Sequence, residues 1–200
     1  MKPFTDNRII KDIFTEEDYE AIYKIVDNLD MDSTKLVESM GQRAYLTSLG
    51  EPIREKLEKR VQELYGEGWI LNAYQFARYT KKWGYETKLY PHLDDAFDDH
   101  KITLDVQLKS TIAWPIVVEG QEFTLNDNEG VFFSGTDQVH WRKKMELSED
   151  DVVDMIFCHC SNPTHPDSLI SDEWRKQRAE TEKYWVDMLD ISSQDIKLGE

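Results

Sequence analysis

The chain is poor in the features that mark several large protein classes. It has only two cysteines in 200 residues, Cys158 and Cys160, flanking His159. On a strand, residues two apart face the same way but sit too far apart for an easy disulfide. "CHC" also lacks the paired spacing of a zinc knuckle. Both cysteines read as small buried residues in a reducing compartment. No apolar run approaches the roughly 18 residues of a membrane span, and "MKPFTDNRIIKDIF" has no signal-peptide core. The expectation is a cytoplasmic protein with no membrane partner. Basic residues are also scarce, with 24 Lys and Arg against 40 Asp and Glu for a net charge of −16. That balance disfavours a surface that tracks phosphates, so nucleic acid is not the expected partner. It leaves a small molecule or a peptide as substrate, and it says nothing of oligomeric state.

What is present is enough for a packed core: 40% of residues are hydrophobic and 12% aromatic. Thr15 followed by Glu16, Glu17 and Asp18 reads as a helix N-cap with acids in the first turn. Tyr19, Ile22, Ile25, Val26 and Leu29 then recur at helical spacing. A second helix is expected from near Pro52, with Ile53, Leu57, Val61 and Leu64 on one face, ending at Gly66–Gly68. From Trp69 the pattern becomes one of strands: "WILNAYQFARY", the alternating "KITLDVQLK", "TIAWPIVVEG", "QEFTL", "GVFFSG", "QVHWR" and "VVDMIFCHC". About seven short strands at regular spacing suggest an antiparallel sandwich or jelly roll. The expected organisation is a single domain. Residues 1–68 form an N-terminal helical region, 69–160 a β core, and 161–200 a loop and an amphipathic helix, "SDEWRKQRAETEKYWVDMLD".

The chemistry lies in "KLYPHLDDAFDDHK" and "GVFFSGTDQVHWRKK". His92 and Asp94, two residues apart, leave an extended chain on one face, roughly 7 Å apart. His140 comes several strands later, and a rolled double sheet can bring it alongside. Two imidazoles and a carboxylate on one face of a metal leave three positions open, the arrangement used by non-haem Fe(II) oxygenases. Arg142, two residues beyond His140, would face the same cavity, where its guanidinium could clamp a carboxylate. Tyr79 could stand at the cavity wall as a hydroxyl donor, while Trp141 should face away and pack. His100 reads as a surface or turn residue and His165 as loop. His159 reads as a core histidine or a contact near the site. "DDAFDD" lacks the glycine and spacing of a calcium loop and reads as an acidic loop beside the site, a candidate lid for a cationic substrate.

"ARYTKKWGYETKLYPHLD", "IAWPIVVEG", "TLNDNEGVFFSGTDQVHWR" and "MIFCHC", in that order, resemble the iron(II)/2-oxoglutarate-dependent oxygenase superfamily over residues 70–160. The small bacterial and phage-type members are the most similar. The resemblance implies a double-stranded β-helix of the cupin-like type, with His92, Asp94 and His140 as iron ligands. It also implies Fe(II), with 2-oxoglutarate and O2 as cosubstrates, and hydroxylation of a substrate coupled to release of succinate. Many members carry an Arg or Lys on the last strand to pair with the far carboxylate of 2-oxoglutarate, and "ELSEDDVVDMIF" has none. That role passes to Arg142 first, then Lys109, then Arg78. Two other readings stay open: a cupin-like protein with another metal or cosubstrate, and a non-catalytic binding module.

Overall fold

The computed structural model describes residues 7–29, 36–39, 42–83, 87–94, 102–164, 176, 180 and 183–184. Within them the chain order is β1 (Arg8–Ile10), α1 (Glu16–Asp27), β2 (Leu36–Ser39), β3 (Gln42–Thr47), α2 (Glu51–Tyr65) and β4 (Ile70–Thr80). There follow β5 (Thr87–His92), β6 (Ile102–Ser110), β7 (Ile116–Val118), β8 (Gln121–Phe123), β9 (Glu129–Phe133), β10 (His140–Met145) and β11 (Val152–Ser161).

Both helices follow from their ends. The Thr15 hydroxyl accepts from the Asp18 N–H at the start of α1. Pro52 lies in the first turn of α2, which stops at Gly66, whose φ of +111° suits a residue without a Cβ. The N-terminal region is not purely helical, however. It also supplies β1, β2 and β3, short segments that owe their pairing to strands already present in the sheet. β1 adds to β9, and β3 joins β4.

The strands make two antiparallel sheets. One has seven strands in the order β1-β9-β6-β11-β4-β3-β2, the other four in the order β5-β10-β7-β8. Distant segments become neighbours through this winding. His140 pairs with His92 across β10 and β5, and the same strand pairs with β7 on its other side.

The large sheet is buried on both faces, and each face has its own chemistry. Its outer face carries Ile102, Leu104, Val106, Phe132, Ile156, Cys158 and Cys160, packed against Ile22 and Val26 of α1 and Ile53, Leu57 and Val61 of α2. Cys158 and Cys160 are free and buried there, with burial pushing both thiols up. The inner face meets the small sheet over Ala77, Tyr79, Val131, Phe133, Val153 and Met155, opposite Ile116, Val118 and Phe123. In β6 the alternation sends Thr103, Asp105 and Gln107 to this inner face, and all three are buried. Buried polar groups need partners, and those partners define the site. No described helix is long and apolar enough to cross a membrane.

Candidate metal centre

His92 ends β5, Asp94 follows two residues on, and His140 begins β10. Their potential ligand atoms lie within 4.8 Å of one another. Asp94 Oδ1 is 3.6 Å from His92 Nε2 and 3.4 Å from His140 Nε2. The two imidazole centroids are 4.1 Å apart, tilted by 54°. Each ring donates its Nδ1–H to a backbone carbonyl two residues back, His92 to Tyr90 at 2.7 Å and His140 to Gln138 at 3.1 Å. Those bonds fix the tautomer and turn both Nε2 lone pairs toward the carboxylate, as metal-binding histidines require.

Asp94 is held by two hydrogen bonds. Its N–H donates to the Gly135 carbonyl at 2.8 Å. Its Oδ2 accepts from the Thr103 hydroxyl at 2.5 Å. Gly135 itself leaves the room: a Cβ there would collide with Asp94 Oδ2 and Thr103 Oγ1. Burial alone would raise the Asp94 pKa, but His140 beside it, with a smaller contribution from His92, holds it well below the usual carboxylate range. Burial, with His140 nearby, lowers His92. Burial also works against a proton on His140, but Asp94 outweighs it and the net shift is upward. The donor set is therefore one ionised carboxylate and two imidazoles, which suits Fe(II) better than a thiolate-preferring ion.

One step deeper, the inner faces of β10 and β6 meet again. Arg142 is 2% exposed. Its Nη2 donates to Asp105 at 3.0 Å and its Nη1 to the Trp114 carbonyl at 2.5 Å. The guanidinium also lies over the Trp114 ring, 4.9 Å from the centroid. Its Nε is buried with no hydrogen-bond partner among the described residues. An orphaned guanidinium donor two residues along β10 from a metal-ligand histidine fits a ligand with an acceptor at its far end. Tyr79 is fully buried in the same layer, its ring 4.9 Å from that of Trp114, edge to face. Burial raises the Tyr79 pKa, keeping its hydroxyl a donor. Burial also raises the Asp105 pKa, with Arg142 opposing the shift.

The other two basic candidates face elsewhere. Arg78 and Lys109 both stand in register with Asp154, one on each side of β11, and cross-strand partners share a face. That face is the outer one. Arg78 makes a two-pronged pair with Asp154, at 2.7 Å from both Nε and Nη2, and the Tyr23 hydroxyl adds a third bond at 2.9 Å. Lys109 is exposed, with its ammonium 4.9 Å from the centre of the Tyr23 ring. The correction for Lys109 has a local cause. A bulge at Leu108, whose carbonyl accepts from Tyr19, breaks the alternation that would have carried Lys109 inward.

Trp141 faces away from the triad, packed with Leu93, Val117 and Val139. His159 belongs to the inner face, its Nδ1 3.7 Å from Asp94 Oδ2, so it borders the site rather than the outer core. His100, His165 and the "DDAFDD" loop after Asp94 lie outside the described residues, as does most of the C-terminal segment. Thr103, Asp105, Trp114 and Gly135 were not anticipated from the sequence. For Thr103 and Asp105 the polar half of the β6 alternation is the available signal, on a strand buried on both faces.

No protein-family model matches the chain, and no curated protein matches it in sequence. Solved structures do. An oxidoreductase of the 2OG-Fe(II) oxygenase family from Burkholderia pseudomallei aligns with a TM-score of 0.57 at 14% identity, over 80% of this chain and 86% of that one. A viral collagen prolyl hydroxylase from Paramecium bursaria Chlorella virus-1, solved with 2OG, gives 0.55 at 14%, over 78% and 96%. A prolyl hydroxylase from Trichoplax adhaerens, in complex with a hypoxia-inducible factor peptide fragment, gives 0.56 at 12%, over 89% and 88%. The chain has the double-stranded β-helix fold of these 2OG-Fe(II) oxygenases.

Proposed function

We propose that this protein is an Fe(II)- and 2-oxoglutarate-dependent oxygenase that hydroxylates a small-molecule or peptide substrate. The observation that carries the reading is the triad itself. His92, Asp94 and His140 converge within 4.8 Å, and both imidazoles are oriented by backbone carbonyls so that Nε2 faces the common centre. Isolated histidines in a core do not need that arrangement; ligands to one ion do.

His92, Asp94 and His140 would hold the iron, and Arg142 with Tyr79 would meet the far end of 2-oxoglutarate. Bound there, the pair supplies oxidative decarboxylation of the 2-oxo acid by O2, coupled to oxidation of a C–H bond. The chain's own residues orient and shield. Thr103 and the Gly135 carbonyl fix Asp94. Phe133, its ring 4.6 Å from that of His140, walls the site on the apolar side. His159, beside Asp94, borders the place a substrate would approach. The experiment is incubation with Fe(II), 2-oxoglutarate and O2, following succinate. Oxygen-dependent succinate, absent when Fe(II) is omitted, is expected. Failure of the metal-loaded protein to bind any 2-oxo acid would favour a cupin-like protein with another cosubstrate.

A further inference from the structure

The two ends of the proposed pocket differ in charge, and the deep end is the unusual one. A guanidinium placed to grip a second carboxylate works best when its charge is uncompensated, because the incoming anion then completes a pair. Here Arg142 already has a counter-ion: Asp105, itself buried, sits 3.0 Å from Nη2. Nη1 is engaged by the Trp114 carbonyl, and Trp114 covers the guanidinium face. What remains is Nε, buried without a partner among the described residues, and the second N–H of each Nη. β11 brings no lysine or arginine to the inner face. Its sequence, Val152–Ser161, contains neither Lys nor Arg. A far carboxylate entering this layer would gain one or two hydrogen bonds from Arg142 and meet the Asp105 charge in a poorly screened interior.

We propose that Asp105 is a specificity-determining residue. By compensating Arg142 it makes the deep end of the pocket nearly neutral, so the protein separates a 2-oxo diacid from a 2-oxo monoacid of the same length only weakly. The inference rests on the reading that the triad's metal takes a 2-oxo acid. It assigns Asp105 to selection among such acids, and it makes Arg142 a hydrogen-bond donor first and a charge second.

The test uses full-length protein loaded with Mn(II), titrated calorimetrically with 2-oxoglutarate and with 2-oxopentanoate, which lacks the second carboxylate. In the unaltered protein the two dissociation constants should fall within about tenfold of each other. In Asp105→Asn, 2-oxoglutarate should bind about tenfold tighter or more, while 2-oxopentanoate moves by less than about threefold. The ratio of the two constants is the readout, since a purely structural defect weakens both acids together. A wild-type preference for the diacid above about tenfold overturns the proposal, and so does an Asn variant whose ratio is unchanged. Should Asp105→Asn not fold, the wild-type ratio decides alone. If neither acid binds, the 2-oxo acid reading falls and takes the proposal with it. Binding with strong diacid preference sinks only the role given to Asp105.

Discussion

Two Arg–Asp pairs stand on opposite faces of the large sheet, one with a half-buried arginine and one fully buried, and they are built differently. On the outer face, Arg78 grips Asp154 with two bonds of 2.7 Å, and the Tyr23 hydroxyl completes the carboxylate. It joins α1 to two adjacent strands. On the inner face, Arg142 gives Asp105 one bond, spends another on a backbone carbonyl and leaves Nε unpartnered. A closed pair is what a structural tie requires, since removing either partner strands a buried charge. An open pair beside a metal triad is what a ligand site requires. The same residue types therefore do two jobs, and the completeness of their hydrogen bonding separates them.

The largest effect that would sharpen this contrast comes from the triad. Asp94→Ala or His140→Ala should abolish stoichiometric Mn(II) binding in a metal titration, with the circular dichroism spectrum retained. Gly135→Ala should approach the same loss, because its Cβ would occupy the space of the Asp94 carboxylate. Asp154→Ala should do the reverse. It should cost about 1.5–3 kcal/mol in urea unfolding, by removing the charged partner of Arg78 and Tyr23, and leave Mn(II) affinity unchanged. If Asp154→Ala weakened metal binding instead, the separation of the two faces would fail. Thr103→Val removes a single bond to Asp94 and should lower metal affinity by about 10- to 100-fold. A smaller, graded effect comes from pH. Asp94 raises the His140 pKa, and metal must displace that proton. Mn(II) affinity should therefore decline as pH falls through the range where His140 protonates, with proton uptake on metal release. Smallest of all, Lys109→Met should leave 2-oxo acid binding within error, as its side chain lies on the outer face.

Much of this was legible in the sequence, and the failures share one cause. The Thr15 cap, the Ile53–Leu57–Val61 stripe and the β6 alternation are local patterns, and each appears where expected. His92 and Asp94 shared a face by spacing, and His140 joined them because motif order implied a winding that would bring β10 beside β5. Arg142 followed from its two-residue distance to His140. What one strand could not show was where it meets its neighbours. Lys109 belongs by parity to the face of Thr103 and Asp105, but the bulge at Leu108, held by a tyrosine from α1, reverses it. Asp105 stands on the polar half of an alternating strand, and only the second sheet that covers it makes it a buried partner of Arg142. His159 depended on which face of β11 was inside, and both faces of that strand are apolar.

Whether His92, Asp94 and His140 form one iron site that takes a 2-oxo acid is decided by loading the protein anaerobically with Fe(II) and adding 2-oxoglutarate while recording the visible spectrum. Chelation of Fe(II) by a 2-oxo acid predicts a charge-transfer band that needs both components, saturates at one iron per chain and is absent from His140→Ala. No band in iron-loaded wild-type protein at saturating 2-oxoglutarate, or an equal band in His140→Ala, would contradict it.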